Sequence, residues 1–196
     1  MALQDKEKWD KKHIESPIPT RPVELVINYA KFAPGKKALD IACGMGRHAR
    51  YLARKGFQVE ALDISSTAIE ALQGEENITA KEADFDTYEL PKNTYDLIVC
   101  TYYLERRLFP QIIDALKDGG IFIYETFLYH PDNDMAPSKR KYLLNEGELE
   151  TVFDDRLDLM HLDETWTVTQ KGDKMMIGSI VGRKKSGGMD IRNKRF

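Results

Sequence analysis

Leu39-Asp40-Ile41-Ala42-Cys43-Gly44-Met45-Gly46-Arg47-His48 is the stretch on which the fold turns. Its first half closes a short, mostly apolar strand over residues 38–42. Its second half is a glycine-bearing turn. Ala49, Leu52, Ala53 and Gly56 follow at i, i+3, i+4 and i+7, the spacing of a helix lying on a sheet. Gly44 and Gly46 let the backbone turn sharply and leave no Cβ in the way of a ligand. Strand, glycine turn and helix open a doubly wound α/β sheet. Such sheets bind ligands beyond the carboxyl ends of their strands, at the switch point.

The alternation continues downstream. Residues 58–62 read as a second strand. Ser65 caps a helix with Ala68, Ile69 and Leu72 inward. Residues 77–83 are a third strand, and 96–100 a continuous apolar fourth, as a sheet covered on both faces demands. Residues 108–116 read as a helix closed by Asp118-Gly119-Gly120, and 121–124 as a fifth strand. An excursion over 126–142 carries Pro131 and Pro137 and no periodicity. Asn145-x-x-Glu148 is a capping box opening a short helix through Phe153. Residues 158–169 and 175–182 are strands joined by a glycine-containing hairpin loop over 170–174. The expected fold class is therefore α/β: a doubly wound, mostly parallel, seven-stranded sheet with an antiparallel C-terminal hairpin.

Upstream, residues 3–14 are charged and helix-prone, with Trp9 and His13 four apart on one face. Ser16-Pro17-Ile18-Pro19 breaks that helix. Pro22 is placed in the first turn of a second one, faced by Val23, Val26, Ile27 and Ala30 and ended by Ala33-Pro34-Gly35. The basic residues from 184 onward read as a frayed tail. The expected layout is a helical extension or lid over 1–35, a ligand-binding domain over 36–184 and a basic flexible tail over 185–196.

Composition bounds the function. At 196 residues the chain amounts to about 1.3 domains, so one α/β domain with a short extension fits. Lys and Arg number 29 against 32 Asp and Glu, a net charge of -3, which disfavours a chain-wide nucleic-acid footprint. Two cysteines, both in apolar stretches, suit a reducing cytoplasm rather than a disulfide scaffold. The longest strongly apolar run, about 95–104, falls far short of the ~20 residues that span a bilayer. The first eight residues contain no apolar core of a secretory signal. No Cys or His pair has zinc-ligand spacing. There is no Gly-x-Ser-x-Gly elbow and no Gly-Lys-Ser/Thr phosphate loop.

Three acids at successive strand ends choose between ligands. Gly44-x-Gly46-x-x-Ala49 matches the dinucleotide fingerprint loosely. Asp40, four residues before Gly44, would repel a pyrophosphate at that loop. It suits a cation there, such as the ammonium or sulfonium of S-adenosylmethionine, or alternatively caps a neighbouring loop. Asp63, 19 residues after Gly44, is placed to accept from both hydroxyls of a ribose, or to begin the next helix. Asp84 can accept from an adenine amino group and Phe85 can cover the ring; the alternative is a turn acid followed by a core Phe.

These residues resemble a family. Asp40-Ile41-Ala42-Cys43-Gly44-Met45-Gly46 is similar to the glycine-rich motif of class I S-adenosylmethionine-dependent methyltransferases, with Ala42 where many members have Gly. Asp63 matches the family's ribose acid and Asp84-Phe85 its adenine pair. Tyr95-Asp96-Leu97-Ile98-Val99 resembles its fourth strand, and Leu116-x-x-Gly119-Gly120 the turn before its fifth. The subgroup it is most similar to is the small tellurite-resistance type. The resemblance implies S-adenosylmethionine as cofactor, held by Trp9, Asp40, Ala42, Cys43, Gly44, Gly46, Arg47, Asp63, Ile64, Asp84, Phe85 and Thr101. It implies methyl transfer to a small-molecule acceptor by direct displacement. An NAD(P)-dependent oxidoreductase and a non-catalytic S-adenosylmethionine-binding protein are the alternatives.

The donor is already activated, so alignment and water exclusion matter most. The acceptor cleft is expected over the ends of the fourth and fifth strands, with Tyr102, Arg106 and His130 as candidate side chains. Arg106-Arg107 offers an anion site or merely a solvated helix start. Trp9 and His13 are placed to close as a lid. Neither cysteine follows a proline, and Cys100-Thr101-Tyr102-Tyr103 is not the Asn/Asp-Pro-Pro-Tyr/Phe signature of DNA amino-methylation.

Overall fold

Period-two alternation sorts the strands' apolar side chains to two faces. In the computed structural model, which describes residues 2–15, 19–134, 139–168 and 172–186, both faces are covered by helices. The strands β1 (Lys37–Ile41), β2 (Gln58–Asp63), β3 (Ile78–Glu82), β4 (Tyr95–Thr101), β5 (Leu116–Phe127), β6 (Leu157–Val168) and β7 (Lys174–Lys184) form one sheet. Its order is β3-β2-β1-β4-β5-β7-β6. β1 to β5 run parallel, and β7 is antiparallel to both β5 and β6.

The helices are α1 (Ala2–Glu15), α2 (Glu24–Tyr29), α3 (Arg47–Arg54), α4 (Ser66–Glu70), α5 (Leu108–Ala115) and α6 (Glu148–Phe153). Leu39, Ile41, Ile98 and Phe122 face α5 and α6, meeting Phe109, Ile112, Leu149 and Phe153. Ala38, Val59, Val99 and Ile123 face the other way, meeting Leu25 and Val26 of α2, Leu52 of α3 and Ile69 of α4. Every residue of β4 is buried, as its apolar run predicted. Ser65 caps α4 as read, its Oγ accepting from Ala68 N–H at 3.2 Å.

Several boundaries differ from the sequence reading. Pro22 lies outside α2, because Val23 is the N-cap. Leu116 does not end a helix. It begins β5, pairing with Tyr95 before a bulge in which Gly119 (φ 76°) turns the chain and after which Ile121 pairs with Leu97. β5 also runs on through Thr126 and Phe127, held by β7, which shortens the excursion. That segment is tied back by a bridge between Leu128 and Leu144 and by one 3-10 turn, Arg140–Tyr142. The capping box is only half formed. Glu148 accepts from Asn145 N–H at 2.9 Å, but Gly147 (φ 68°) is the N-cap and the Asn145 amide donates to Glu148 instead of accepting. Residues 169–171 of the hairpin loop and 187–196 of the tail lie outside the described residues. Lys184 belongs to β7 and Lys185 donates to Arg156 and Asp154 carbonyls, so the frayed reading fails at those two positions.

Candidate active site

The loop after β1 folds back over the strand tip because three of its residues adopt left-handed backbone. These are Ala42 (φ 52°), Gly44 (φ 51°) and Gly46 (φ 79°). An alanine there costs roughly 1–2 kcal/mol, which a glycine avoids. Cys43 N–H donates to Leu62 O at 3.0 Å and Gly46 N–H to Cys43 O at 3.0 Å, closing the turn onto β2. A Cβ on Gly46 would run into the Leu72 methyls. A Cβ on Gly44 would only meet His13 Cε1 at 3.4 Å, so backbone conformation is what demands glycine there. Burial pushes the Cys43 thiol up, so it offers backbone rather than thiolate.

Asp40 is 1% exposed, and its Oδ2 accepts from Ala49 N–H at 3.1 Å in the first turn of α3. The carboxylate satisfies a free N–H in the first turn of a helix, not the neighbouring loop that the sequence left open. Burial raises its pKa to about 7. His48, whose Nδ1 lies 4.0 Å from Asp40 Oδ1, is buried, accepts from Val23 N–H through Nε2, and is lowered by burial to about 3. It is a neutral packing residue. Asp63 Oδ2 accepts from Gly44 N–H at 2.8 Å and Oδ1 from Ser65 N–H at 2.9 Å. Each carboxylate oxygen keeps a second lone pair. Partly buried Ile64 separates Asp63 from the α4 cap. Asp84 Oδ1 accepts from Asp86 N–H at 2.9 Å, and Phe85 packs on Tyr103 at 5.6 Å between ring centroids. In these contacts Asp84 holds a turn and Phe85 packs against the ring of the loop after β4. The order β3-β2-β1 nevertheless sets the three acids in one row.

α1 lies across this row. Asp10 Oδ1 accepts from Ser65 Oγ at 2.6 Å and from Thr67 N–H at 3.0 Å, and Oδ2 from Ser66 Oγ at 3.2 Å. Lys6 Nζ reaches Glu82 Oε1, at the end of β3, at 2.5 Å. Lys6, Asp10 and His13 fall at i, i+4 and i+7, so one face makes all three contacts. Trp9 is half-buried, 5.9 Å from the His13 ring, with Lys12 Nζ 4.3 Å from its centroid. The sequence reading singled out Trp9 and His13 but missed Asp10. Helical phase was its only signal.

Across the crevice, Arg47 Nη2 donates to Thr101 Oγ1 at 3.3 Å, and its guanidinium sits 5.5 Å from the Tyr102 ring centroid. Tyr102 holds φ 56°, a conformation costing about 1–3 kcal/mol, and donates its phenol to Glu125 Oε1 at 2.6 Å. Burial and the Glu125 carboxylate hold that phenol protonated well above neutrality. A cavity of about 360 Å³ beside the loop is lined by Pro19, Thr20, Met45, Arg47, Arg50 and Arg54.

Other candidates are engaged elsewhere. Arg106 donates to both Glu148 oxygens, at 2.6 and 2.8 Å, and to the Lys141 and Leu143 carbonyls, so it braces the excursion. Arg107 pairs with Glu105 and Asp86. His130 Nδ1 accepts from Asp132 N–H, and its ring meets Trp166 edge-on at 4.8 Å. Among the described residues no group of three His, Cys, Asp or Glu could hold a metal ion, and no helix is long and apolar enough to cross a membrane.

Comparison with known proteins agrees with this geometry. A family model described as a methyltransferase domain matches residues 17–162. The probable S-adenosyl-L-methionine-dependent methyltransferase TehB of Haemophilus influenzae is 28% identical over 178 residues, 82% of this chain and 61% of that protein. The chain thus spans about three fifths of that relative. Phosphoethanolamine N-methyltransferase 2 of Caenorhabditis elegans is 31% identical over 110 residues, 50% of this chain and 25% of its own. The crystal structure of Haemophilus influenzae TehB has the same Rossmann-like fold, with a TM-score of 0.72 at 23% identity, covering 92% of this chain and 67% of that one. The dinucleotide alternative is not favoured. With its glycine loop, row of acids and matched domain, the chain belongs to the methyltransferase domain family and resembles TehB within it.

Proposed function

We propose that this chain transfers the methyl group of S-adenosylmethionine to a small-molecule acceptor. The observation that carries this is the acid-lined loop. Gly44 N–H is already held by Asp63, and Asp40 lies at the loop's base. A diphosphate would meet the Asp63 carboxylate there, whereas an ammonium or sulfonium is attracted. When bound, the donor supplies a methyl group activated on a positively charged sulfur.

The residues present fit that group. The remaining lone pairs of Asp63 accept from the ribose hydroxyls, and Asp84 with Phe85 takes the adenine end. Ala42 and Cys43 offer backbone, and Gly44 and Gly46 leave room for the approach. Arg47, beside Thr101, suits the carboxylate of the amino-acid end. α1, with Trp9, covers the crevice and excludes water. Two free, buried cysteines suit a cytoplasmic setting.

Thermal melting with each nucleotide tests the reading. S-adenosylmethionine at ~100 times its Kd should add ~2.7 kcal/mol of stability, and NAD should add none. The reverse pattern would overturn it. Asp63→Ala should lower donor affinity by about 100-fold, from two lost charge-assisted hydrogen bonds at ~1.5 kcal/mol each. It should still melt cooperatively; calorimetric titration showing wild-type affinity would refute the ribose role.

A further inference from the structure

The ends of β4 and β5 carry a carboxylate that the donor grip does not use. Thr101 and Glu125 are register partners, so their side chains share the face covered by α2 and α3. Glu125 is 9% exposed. Its Oε1 is taken by the Tyr102 phenol at 2.6 Å, and the Tyr102 N–H closes a second bond to the Glu125 carbonyl at 2.8 Å. Its Oε2 accepts from no described residue. Among those residues no buried side-chain oxygen lacks a partner, so Oε2 opens to solvent. The left-handed backbone of Tyr102 holds the phenol in this place, and strain of that kind concentrates at functional sites.

The charged and titratable neighbours are few. Arg47 of α3 approaches through Thr101 and the Tyr102 ring. On the other side Glu125 pairs in register with Ser179 of β7, whose Oγ lies 2.9 Å from His161 Nε2 of β6. Among the described residues, Asp40 also faces Arg47, but no second carboxylate bonds to Glu125 or to the Tyr102 phenol.

We propose that Glu125 is the general base of the reaction, and that the acceptor is a neutral thiol or phenol rather than a preformed anion. This rests on the methyl-transfer reading above. Glu125 Oε2 takes the proton of the acceptor's S–H or O–H. The electron pair left on that atom forms the new bond to the donor's methyl carbon. The carbon–sulfonium bond breaks and its pair stays on sulfur, leaving a neutral thioether. Tyr102 pins Oε1, which fixes the rotamer and leaves Oε2 for the acceptor. A carboxylate acceptor would be repelled by Glu125 and would have no proton to give.

The test uses the full chain saturated with S-adenosylmethionine, following S-adenosylhomocysteine release from pH 5 to 9 with 2-mercaptoethanol, catechol or benzoate. The wild type should methylate the thiol or the phenol but not benzoate. Glu125→Gln keeps an acceptor for the Tyr102 phenol. It should bind the donor within twofold of wild type, lose about 100-fold or more in kcat/KM, and recover as pH approaches the acceptor's own pKa. Tyr102→Phe should lose less than Glu125→Gln, because Oε2 remains. Glu125→Gln acting within threefold of wild type overturns the proposal, as does turnover of benzoate or failure of wild type on all three acceptors. A wild type that gives no thermal shift with S-adenosylmethionine sinks the methyl-transfer reading as well, which distinguishes the two failures.

Discussion

Asp40 and His48 are buried neighbours whose titrations oppose one another. Burial raises Asp40 from 3.8 to about 7. Its contribution to stability is present below pH ~4 and is lost as pH rises through about 7. Burial lowers His48 from 6.5 to about 3, so its contribution is present above pH 6.5 and lost as pH falls toward 3. Between pH ~4 and 6.5 the two slopes cancel. Asp40→Asn should unmask His48, and the variant's unfolding free energy should then rise by up to ~1.4 kcal/mol per pH unit across that window. Urea titrations at pH 4.5, 5.5 and 6.5 check this. A slope equal to that of the wild type would show that Asp40 is already ionised in the fold. The same residue shows how a sequence position holds two readings. Its place in the loop was legible, but the choice of Ala49 N–H as partner depends on how α3 docks.

At the level of elements, α1 is the piece whose role was least visible. A charged helix with one aromatic face reads equally as a solvated arm or a cover. Asp10 accepts three hydrogen bonds, from Ser65, Ser66 and Thr67, and these hold α1 against the start of α4. Asp10→Ala removes all three, so α1 should open more often. Donor release should accelerate about five- to tenfold, at ~1 kcal/mol for a lost cap. Stopped-flow release together with amide exchange over residues 4–14 reads this out, and unchanged exchange would deny the clamp. β5 shows the opposite error. Asp118-Gly119-Gly120 looks like the end of a helix, yet it lies within β5 as a bulge opposite Tyr95–Leu97, with Gly119 at φ 76°.

Over the whole molecule, one sheet separates two apolar clusters and places all the candidate chemistry at one edge. Phe153 lies far from that edge in chain order and anchors α6, with ring centroids 5.1 Å from Phe109 and 5.4 Å from Phe122. Phe153→Ala should cost ~3–5 kcal/mol of stability through the cavity it leaves. Donor affinity of the folded fraction should fall far less, because Phe153 packs on Phe109 and Phe122 and reaches the crevice only through Tyr124 and Tyr103. Chemical denaturation paired with calorimetry separates the two effects. A drop in affinity equal to the loss of stability would mean that the clusters are not independent.

Alternation of apolar residues, the glycine turn, the Ser65 cap and an acid at each leading strand end are short-range signals, and they made the sheet, the loop and the candidate site legible. Which partner each acid takes, how α1 closes, where β5 begins and why Tyr102 meets Glu125 were decided by the tertiary structure. The closure of α1, the start of β5 and the Tyr102–Glu125 bond depend on contacts between residues 21 to 76 positions apart, and no local period encodes contacts at that separation.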